Sequence, residues 1–411
     1  MVQQEVNNLY KERFGQMVAS VLSMSKDIDP ETAEDIVQDS FAAALVSWRT
    51  NGIPENKSGW IYTVCRNKAL NLLKKEKRIR PLTENIGTLT ENPNAVEVEN
   101  GFSESILDDR QLKLLFACAH PDLAPKTQVV ITLKYVINLK VEAIAKSLGM
   151  TIDGVDKLLV RARQKIRDEK IILEEPAADA LKSRLPSVHK VIYLIFNEGY
   201  KSSAGNEFLR EELCEEALLT NKYLLESSLG NSDTMALQAL MLFNSARFKS
   251  RFGSEGELVN LEEQDRRLWN EELISLGDYF FKKSQSGPVS SYHIEASIAY
   301  LHCTAKNFQS TDWPMIAGLY ERLLQTNKNP FVELNHAIAL YYAGQKQKGF
   351  DILHSLEAHP FLGRYFLLNA ALGKFHQLEG RDDLARKYLQ TALSQTGFEK
   401  EKTFIQKMMK D

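Results

Sequence analysis

Between Trp60 and Arg80 the chain reads WIYTVCRNKALNLLKKEKRIR. Apolar residues recur there at helical spacing. Arg66, Lys68, Lys74, Lys75, Lys77, Arg78 and Arg80 are opposed only by Glu76, a net charge of +6 over 21 residues. A helix of this kind can bury one face and no more. Solvated faces normally mix charge signs, so the other face calls for a partner. A polyanion fits, because each phosphate neutralised by Lys or Arg releases condensed counterions. Trp60 and Tyr62 stand at the head of the segment, and an aromatic stacked on an unpaired base is worth about 1–3 kcal/mol. A basic helix with an aromatic head suits DNA that is being opened, although Trp60 also suits a core anchor.

The same helical periodicity runs through nearly all of the 411 residues. No long alternating segment and no Asn-Gly hairpin signal appears, so the expected fold class is all-α. A hydrophobic content of 44% supports a packed core, and the length allows two or three domains. Net charge is only −3, so the basic character is local. Cys65, Cys118, Cys214 and Cys303 form no CxxC and read as reduced, mostly buried thiols of a cytoplasmic protein. The N-terminus lacks the apolar run of a signal peptide. No stretch reaches about 18 uninterrupted apolar residues, so no membrane partner is expected.

Four parts follow from composition. Residues 1–82 form a first block with helices over Leu9–Ser25, Glu31–Arg49 and Ser58–Arg78, and a loop at 50–57. Asp29 followed by Pro30 marks the second helix start. Residues 83–108 carry six acidic residues and no Lys or Arg, and read as an acidic flexible linker. Residues 109–173 form a second block, with helices before Pro121, over Lys126–Ile137, over Val141–Leu148 closed by Gly149, and over Thr151–Lys170. Residues 177–411 are helical and nearly neutral. Within them Gly344 and Gly380 lie 36 residues apart, each between two apolar helical stretches, and GRDDLARKYLQTAL resembles the second helix of a tetratricopeptide repeat.

In the second block a short helix, a turn and a longer basic helix make the helix-turn-helix pattern. Val141, Ile144, Ala145 and Leu148, then Val155, Leu158, Leu159 and Ala162, form the inward stripes. Early positions of a recognition helix reach base edges and later ones meet phosphates. Thr151, Asp153 and Lys157 are therefore candidate base readers. Arg161, Arg163, Lys165 and Arg167 are candidate backbone contacts.

Three segments in order, AEDIVQDSFAAAL (33–45), GWIYTVCRNKALNLL (59–73) and AIAKSLGMTIDGVDKLLVRARQKI (143–166), resemble a bacterial RNA polymerase sigma factor of the extracytoplasmic-function group. The first two are similar to sigma region 2 and the third to region 4. VIYLIFNEGYKSSAG, LVNLEEQDRRLWN and NPFVELNHAIAL resemble the tetratricopeptide-like extension of one subgroup.

The resemblance implies that Glu34, Asp35, Gln38 and Asp39 dock on core RNA polymerase. It implies that the loop holds a flipped −10 base, with Asn51, Asn56, Lys57 and Ser58 as pocket donors. A shaped pocket has to offset a few kcal/mol for extraction. Arg66, Asn67, Lys68 and the run containing Lys74, Lys75 and Arg78 would hold promoter DNA around the melted region, and the second block would read the −35 element. Asn71 and Cys65 stand where many relatives have Asp and Ala. Asp156 and Leu158 stand where a basic residue is usual, which points to a different −35 preference.

No HExxH, GxSxG, GxxxxGK[ST] or GxGxxG is present, and His293 and His302 lie too far apart along one helix for a metal site. No enzyme activity, metal or cofactor is expected. The resemblance implies a factor that recognises and melts promoters while the polymerase makes RNA. The extension would control activity or bind a protein or peptide. The alternative is a one-component helix-turn-helix regulator with a sensing helical domain, which leaves the basic helix unexplained.

Overall fold

The computed structural model describes residues 2–79, 112–200 and 211–410, apart from positions 23, 26, 149, 170, 172, 174, 175, 254–256 and 327. The linker expected at 83–108 and the closing role of Gly149 lie outside the described residues. The regular elements among the described residues are all helices, with one isolated bridge, Phe252 to Leu258. No described helix is long and apolar enough to cross a membrane.

The chain divides into two compact units, 1–198 with 202–204, and 199–201 with 205–411. The sequence places the start of the extension earlier, at 177.

The first unit begins with α1 (Val2–Leu22), α2 (Pro30–Asn51) and α3 (Lys57–Ile79). α1 starts seven residues before the predicted Leu9. The segment VQQEVNN carries one apolar residue per turn, too sparse to register as a stripe, yet Val6 and Leu9 are buried. Asp29 caps α2 by accepting from the Thr32 amide at 2.8 Å, with Pro30 at the first helical position. Phe14, Met17, Val18, Val37, Phe41, Trp48, Ile61 and Cys65 close the core of this three-helix block.

A helical stretch over 112–118 (α4) leads to α5 (Pro125–Ile131), which widens into a π-helical turn over Thr132–Val136. The Ile137 amide reaches the Thr132 carbonyl at 3.1 Å, and the Leu139 amide reaches the Leu133 carbonyl at 2.9 Å. The sequence predicts a plain α-helix through Ile137. The extra residue per turn rotates Lys134, Tyr135 and Val136 relative to the preceding turn. Then follow α6 (Val141–Ser147), α7 (Ile152–Asp168) and α8 (Ala178–Tyr200). α8 is fixed to the second block by Arg184, which donates to the Phe116 carbonyl at 2.9 Å. Ser187 donates to Gln128 Oε1 at 2.7 Å.

The second unit runs through α9 (Glu211–Glu226), α10 (Ser232–Ser245), α11 (Glu271–Ser284), α12 (Ser291–Thr304), α13 (Trp313–Thr326), α14 (Pro330–Tyr342), α15 (Lys346–Glu357), α16 (Phe366–Leu378), α17 (Asp382–Gln395) and α18 (Glu399–Met408). LVNLEEQDRRLWN folds as a loop held by its own polar groups. Gln264 accepts from Arg247 and donates to the Val259 carbonyl, each at 3.2 Å. Arg266 lies on the Trp269 ring and donates to the His302 and Ala305 carbonyls at 2.7 Å, closing the end of α12.

Gly344 and Gly380 turn α14 into α15 and α16 into α17, with φ of +85° and +69°. The two pairs repeat in register. Gly349 on α15 lies against the Ala337 carbonyl of α14, and Gly373 on α16 lies against Leu389 and the Ala385 carbonyl of α17. Ala337 and Gly373 are 36 residues apart, as are Gly349 and Ala385, so each pair has one Ala and one Gly at its closest approach, with the helices exchanged.

Candidate nucleic-acid interface

α3 is amphipathic by construction. Ile61, Cys65 and Ala69 face the core, while Thr63, Arg66, Asn67, Leu70, Asn71 and Lys74 are exposed. These six follow the i, i+3, i+4, i+7 rule for one helical face, so Arg66, Asn67 and Lys74 come together as predicted. Thr63, Leu70 and Asn71 belong to the same face and were not among the candidates, although the same spacing finds them. Lys68 turns aside to pair with Asp39 at 3.2 Å. The side chains of Lys75 and Arg78 lie outside what is described.

The predicted loop is shorter than expected. Asn51 is the last residue of α2, where it donates to Ser47, and Lys57 and Ser58 are already in α3. Lys57 is paired with Glu5. Asn56 caps α3 by accepting from the Gly59 amide at 2.8 Å. The four predicted donors are therefore distributed over a helix end, a cap and a helix start, and only 52–56 is loop. Trp60 is half-buried, packed edge-on against the buried Trp48 at 5.6 Å. Tyr62 is half-buried beside it in the chain.

α6 and α7 form the helix-turn-helix. Ile144, Ala145, Val155, Leu159, Ala162 and Ile166 are buried. Thr151 caps α7, accepting from the Gly154 amide at 3.1 Å, so its hydroxyl is engaged locally. Asp153 and Lys157 pair at 2.7 Å on the exposed side, and Arg161 and Arg167 are exposed as well. Arg163 does not share their face. It pairs with Glu31 of α2 at 2.9 Å and donates to the Tyr135 hydroxyl at 3.3 Å. Lys165 donates to the Asp122 carbonyl at 2.6 Å. Residues two apart on a helix point about 200° away from each other, so a run at 161, 163, 165 and 167 cannot line one face. The open face is instead Ile152, Asp153, Asp156, Lys157, Val160, Arg161 and Gln164. Ile152, Val160 and Gln164 were not singled out, and Asp156 only as standing where a basic residue is usual, although the four recur every four residues.

Of the acidic edge on α2, Asp35, Gln38 and Asp39 are exposed. Glu34 is only 8% exposed, held by Lys134 of the π-helical turn and by Gln38 at 3.1 Å.

No group of three or more His, Cys, Asp or Glu among the described residues is placed to hold a metal ion. His293 serves the cap of α12, and His302 packs edge-on against Trp313 at 5.4 Å. Burial pushes the Cys118 thiol up to about 12 and the Cys65 thiol up to about 11, so neither is poised as a nucleophile.

Comparison with known proteins places sigma-70 region 2 on residues 12–79 and sigma-70 region 4 on residues 113–166. A family of unknown function covers 184–285. An uncharacterized protein of Rhizobium meliloti is 29% identical over 385 residues, 92% of this chain and 89% of that protein. The ECF RNA polymerase sigma factor SigE of Mycolicibacterium smegmatis is 28% identical over 136 residues, 33% of this chain and 51% of that protein. RNA polymerase sigma factor SigV of Bacillus subtilis is 28% identical over 146 residues, 36% of this chain and 80% of that protein. No solved structure matches. With region 2 and region 4 in order on one chain, and with extracytoplasmic-function sigma factors among its relatives, the chain carries the two domains of a sigma-70 factor and a sigma-type role in transcription initiation.

Proposed function

We propose that the chain binds core RNA polymerase through the acidic edge of α2, contacts −10 DNA through the exposed face of α3 and reads the −35 element through the open face of α7. The observation that carries this reading is the exposed Arg66–Asn67–Lys74 face of α3 in the same chain as a helix-turn-helix. The chain itself performs no chemistry. Arg66 and Lys74 supply phosphate contacts, and Asn67 supplies an amide to the strand being opened. Trp60, seated on Trp48, acts as a rigid wall beside the 52–56 loop.

On α7, Asp153, Asp156, Lys157 and Val160 face the major groove and Arg161 and Arg167 hold the backbone. Val160 offers an apolar contact for a thymine methyl. Affinity for free DNA is low, because the two blocks act together only when polymerase sets their separation. The second unit, with its 36-residue helix-pair repeat, is read as a tetratricopeptide-like domain that controls activity and takes a protein or peptide partner.

Run-off transcription with core polymerase and the gene's own upstream DNA tests this. A discrete start site that is lost with Arg66→Ala and Asn67→Ala together supports the reading. No start site from the full chain or from residues 1–200 sinks it in favour of a one-component regulator. A start site gained on removing 201–411 assigns the second unit an inhibitory role, and one lost assigns it a required contact.

A further inference from the structure

In the second unit, the loop between α10 and α11 sorts its charges. Glu263 pairs with Lys407 at 2.6 Å, and Asp265 with Arg267 at 2.8 Å. Arg266 instead lies over the Trp269 ring, 4.4 Å from its centroid. The guanidinium of Arg247, just past the end of α10, lies 5.4 Å from the same ring. Two like charges thus share one indole. Arg247 donates to Gln264 Oε1 and Arg266 to the His302 and Ala305 carbonyls, all neutral acceptors, and neither arginine has an ion-pair partner among the described residues. Burial, then the charge of Arg247, pushes the Arg266 guanidinium below its usual range. Half-buried charges that face only neutral acceptors are uncompensated, and folded chains ordinarily pair such groups. Three buried atoms around them also lack a hydrogen-bond partner: Arg266 Nη2, Trp269 Nε1 and His302 Nδ1. Trp269 is 6% exposed, and the His302 imidazole lies within reach of both guanidinium charges. Two of the three atoms can only donate, and the third donates in one tautomer. Orphaned buried donors point to a water or an ion that answers them.

We propose that this cluster is an oxyanion site and that the anion it takes is a phosphoryl group, free or esterified. Charge decides the class. A phosphate monoester carries about −1.5 to −2 at neutral pH, which balances two guanidiniums, whereas a carboxylate leaves one of them unpaired. A guanidinium fork matches phosphate oxygens in bidentate geometry, and the indole and imidazole N–H groups add directed donors that a cation could not use. The nearest acids of the loop, Glu263 and Asp265, are held by Lys407 and Arg267 and do not compete with the anion. The donors come from three segments: the end of α10, the loop and α12. A bound phosphoryl group therefore ties the loop to both helices. The second unit becomes a receptor for phosphate or a phosphorylated small molecule, and this does not depend on the polymerase or DNA roles proposed for the first unit.

The test is thermal unfolding and isothermal titration of the full chain with inorganic phosphate, with ionic strength held constant by chloride. Millimolar phosphate should raise the unfolding midpoint in a saturable way, as a ligand of the native state does. Arg247→Met keeps an apolar stem beside Trp269 and removes the charge. It should weaken phosphate binding about tenfold, and Arg247→Lys should recover part of the loss. Trp269→Phe keeps a ring, removes the Nε1 donor and should also weaken binding about tenfold. The readout is the phosphate-dependent shift and the titrated affinity, which a purely structural loss does not move. If Arg247→Met no longer unfolds cooperatively, Arg247→Lys and Trp269→Phe carry the comparison. O-phosphoserine separates the two sources: binding of both ligands assigns a site that admits an ester, and binding of inorganic phosphate alone assigns one that encloses the free ion. Absence of any phosphate-dependent shift in the parent chain overturns the proposal. So does a shift that both Arg247→Met and Trp269→Phe leave intact, which would place the ion on the basic face of α3. Acetate bound as tightly as phosphate overturns the phosphoryl assignment.

Discussion

The contact between the two blocks of the first unit and the contact between successive helix pairs in the second are built from different materials. In the first, Lys134 and Arg163 meet Glu34 and Glu31, with side chains ranging from 10% to 46% exposed. In the second, Tyr341 of α14 lies flat on Phe375 of α16, ring centroids 3.6 Å apart, among Leu353, Leu368 and Leu372, which are fully buried. Partly solvated ion pairs contribute little net free energy, because water and salt compete for the same charges. Apolar area removed from water has no such competitor. The first contact adds its ion pairs to a close buried fit of Gly15, Tyr135 and Val136, while the second rests mainly on stacked rings and leucines.

The largest effect should come from cutting the apolar side of this comparison. Phe375→Ala removes a fully buried ring and its stacking partner, and should cost about 3–5 kcal/mol of stability of the second unit by urea unfolding. A cost below 1 kcal/mol would mean that the repeat is not held by its core.

A pH scan sharpens the same point. Burial, then the charges of Arg247 and Arg266, hold the His302 imidazole down to about 3, against 6.5 when exposed. Between those values the unfolded chain binds the extra proton. Stability is therefore complete above about pH 6.5 and falls toward pH 3, by a few kcal/mol on the order expected for such a shift. His302→Gln should flatten that limb of the urea midpoint against pH.

A smaller loss is expected at the turn of the repeat. A Cβ on Gly344 meets nothing within 4 Å, so Gly344→Ala costs only the left-handed backbone, about 1–2 kcal/mol. Gly344→Asn should recover part of it.

The smallest effect belongs to the polar contact. Arg163→Gln should cost about 0.5–1 kcal/mol at low salt, and the cost should shrink in 1 M salt. A loss as large as that of Phe375→Ala would erase the distinction between the two contacts.

Much of the fold was legible in the chain. The Asp29–Pro30 start of α2 and the glycine turns at 344 and 380 are local devices, and local chemistry is what a sequence displays; Thr151, which caps α7, reads in the sequence as a base reader instead. The candidate face of α3 was legible for the same reason, since one helical stripe fixes which residues emerge together. The face of α7 was read less well. A run of basic residues at alternate positions looks like one surface in sequence, yet helical rotation splits it between faces, and Arg163 is engaged by Glu31 and Tyr135 and Lys165 by the Asp122 carbonyl.

By itself, then, the sequence determined the helices, their caps and turns, and the order of the blocks, because these depend on residues within a few positions of one another. Only the tertiary structure decided that α5 widens to carry Lys134 and Tyr135 toward the first block, that Gly15 receives the Val136 carbonyl, and that Glu34 is covered. Those outcomes join residues about a hundred or more positions apart, and at that separation charge complementarity and close approach exist only once the chain has folded.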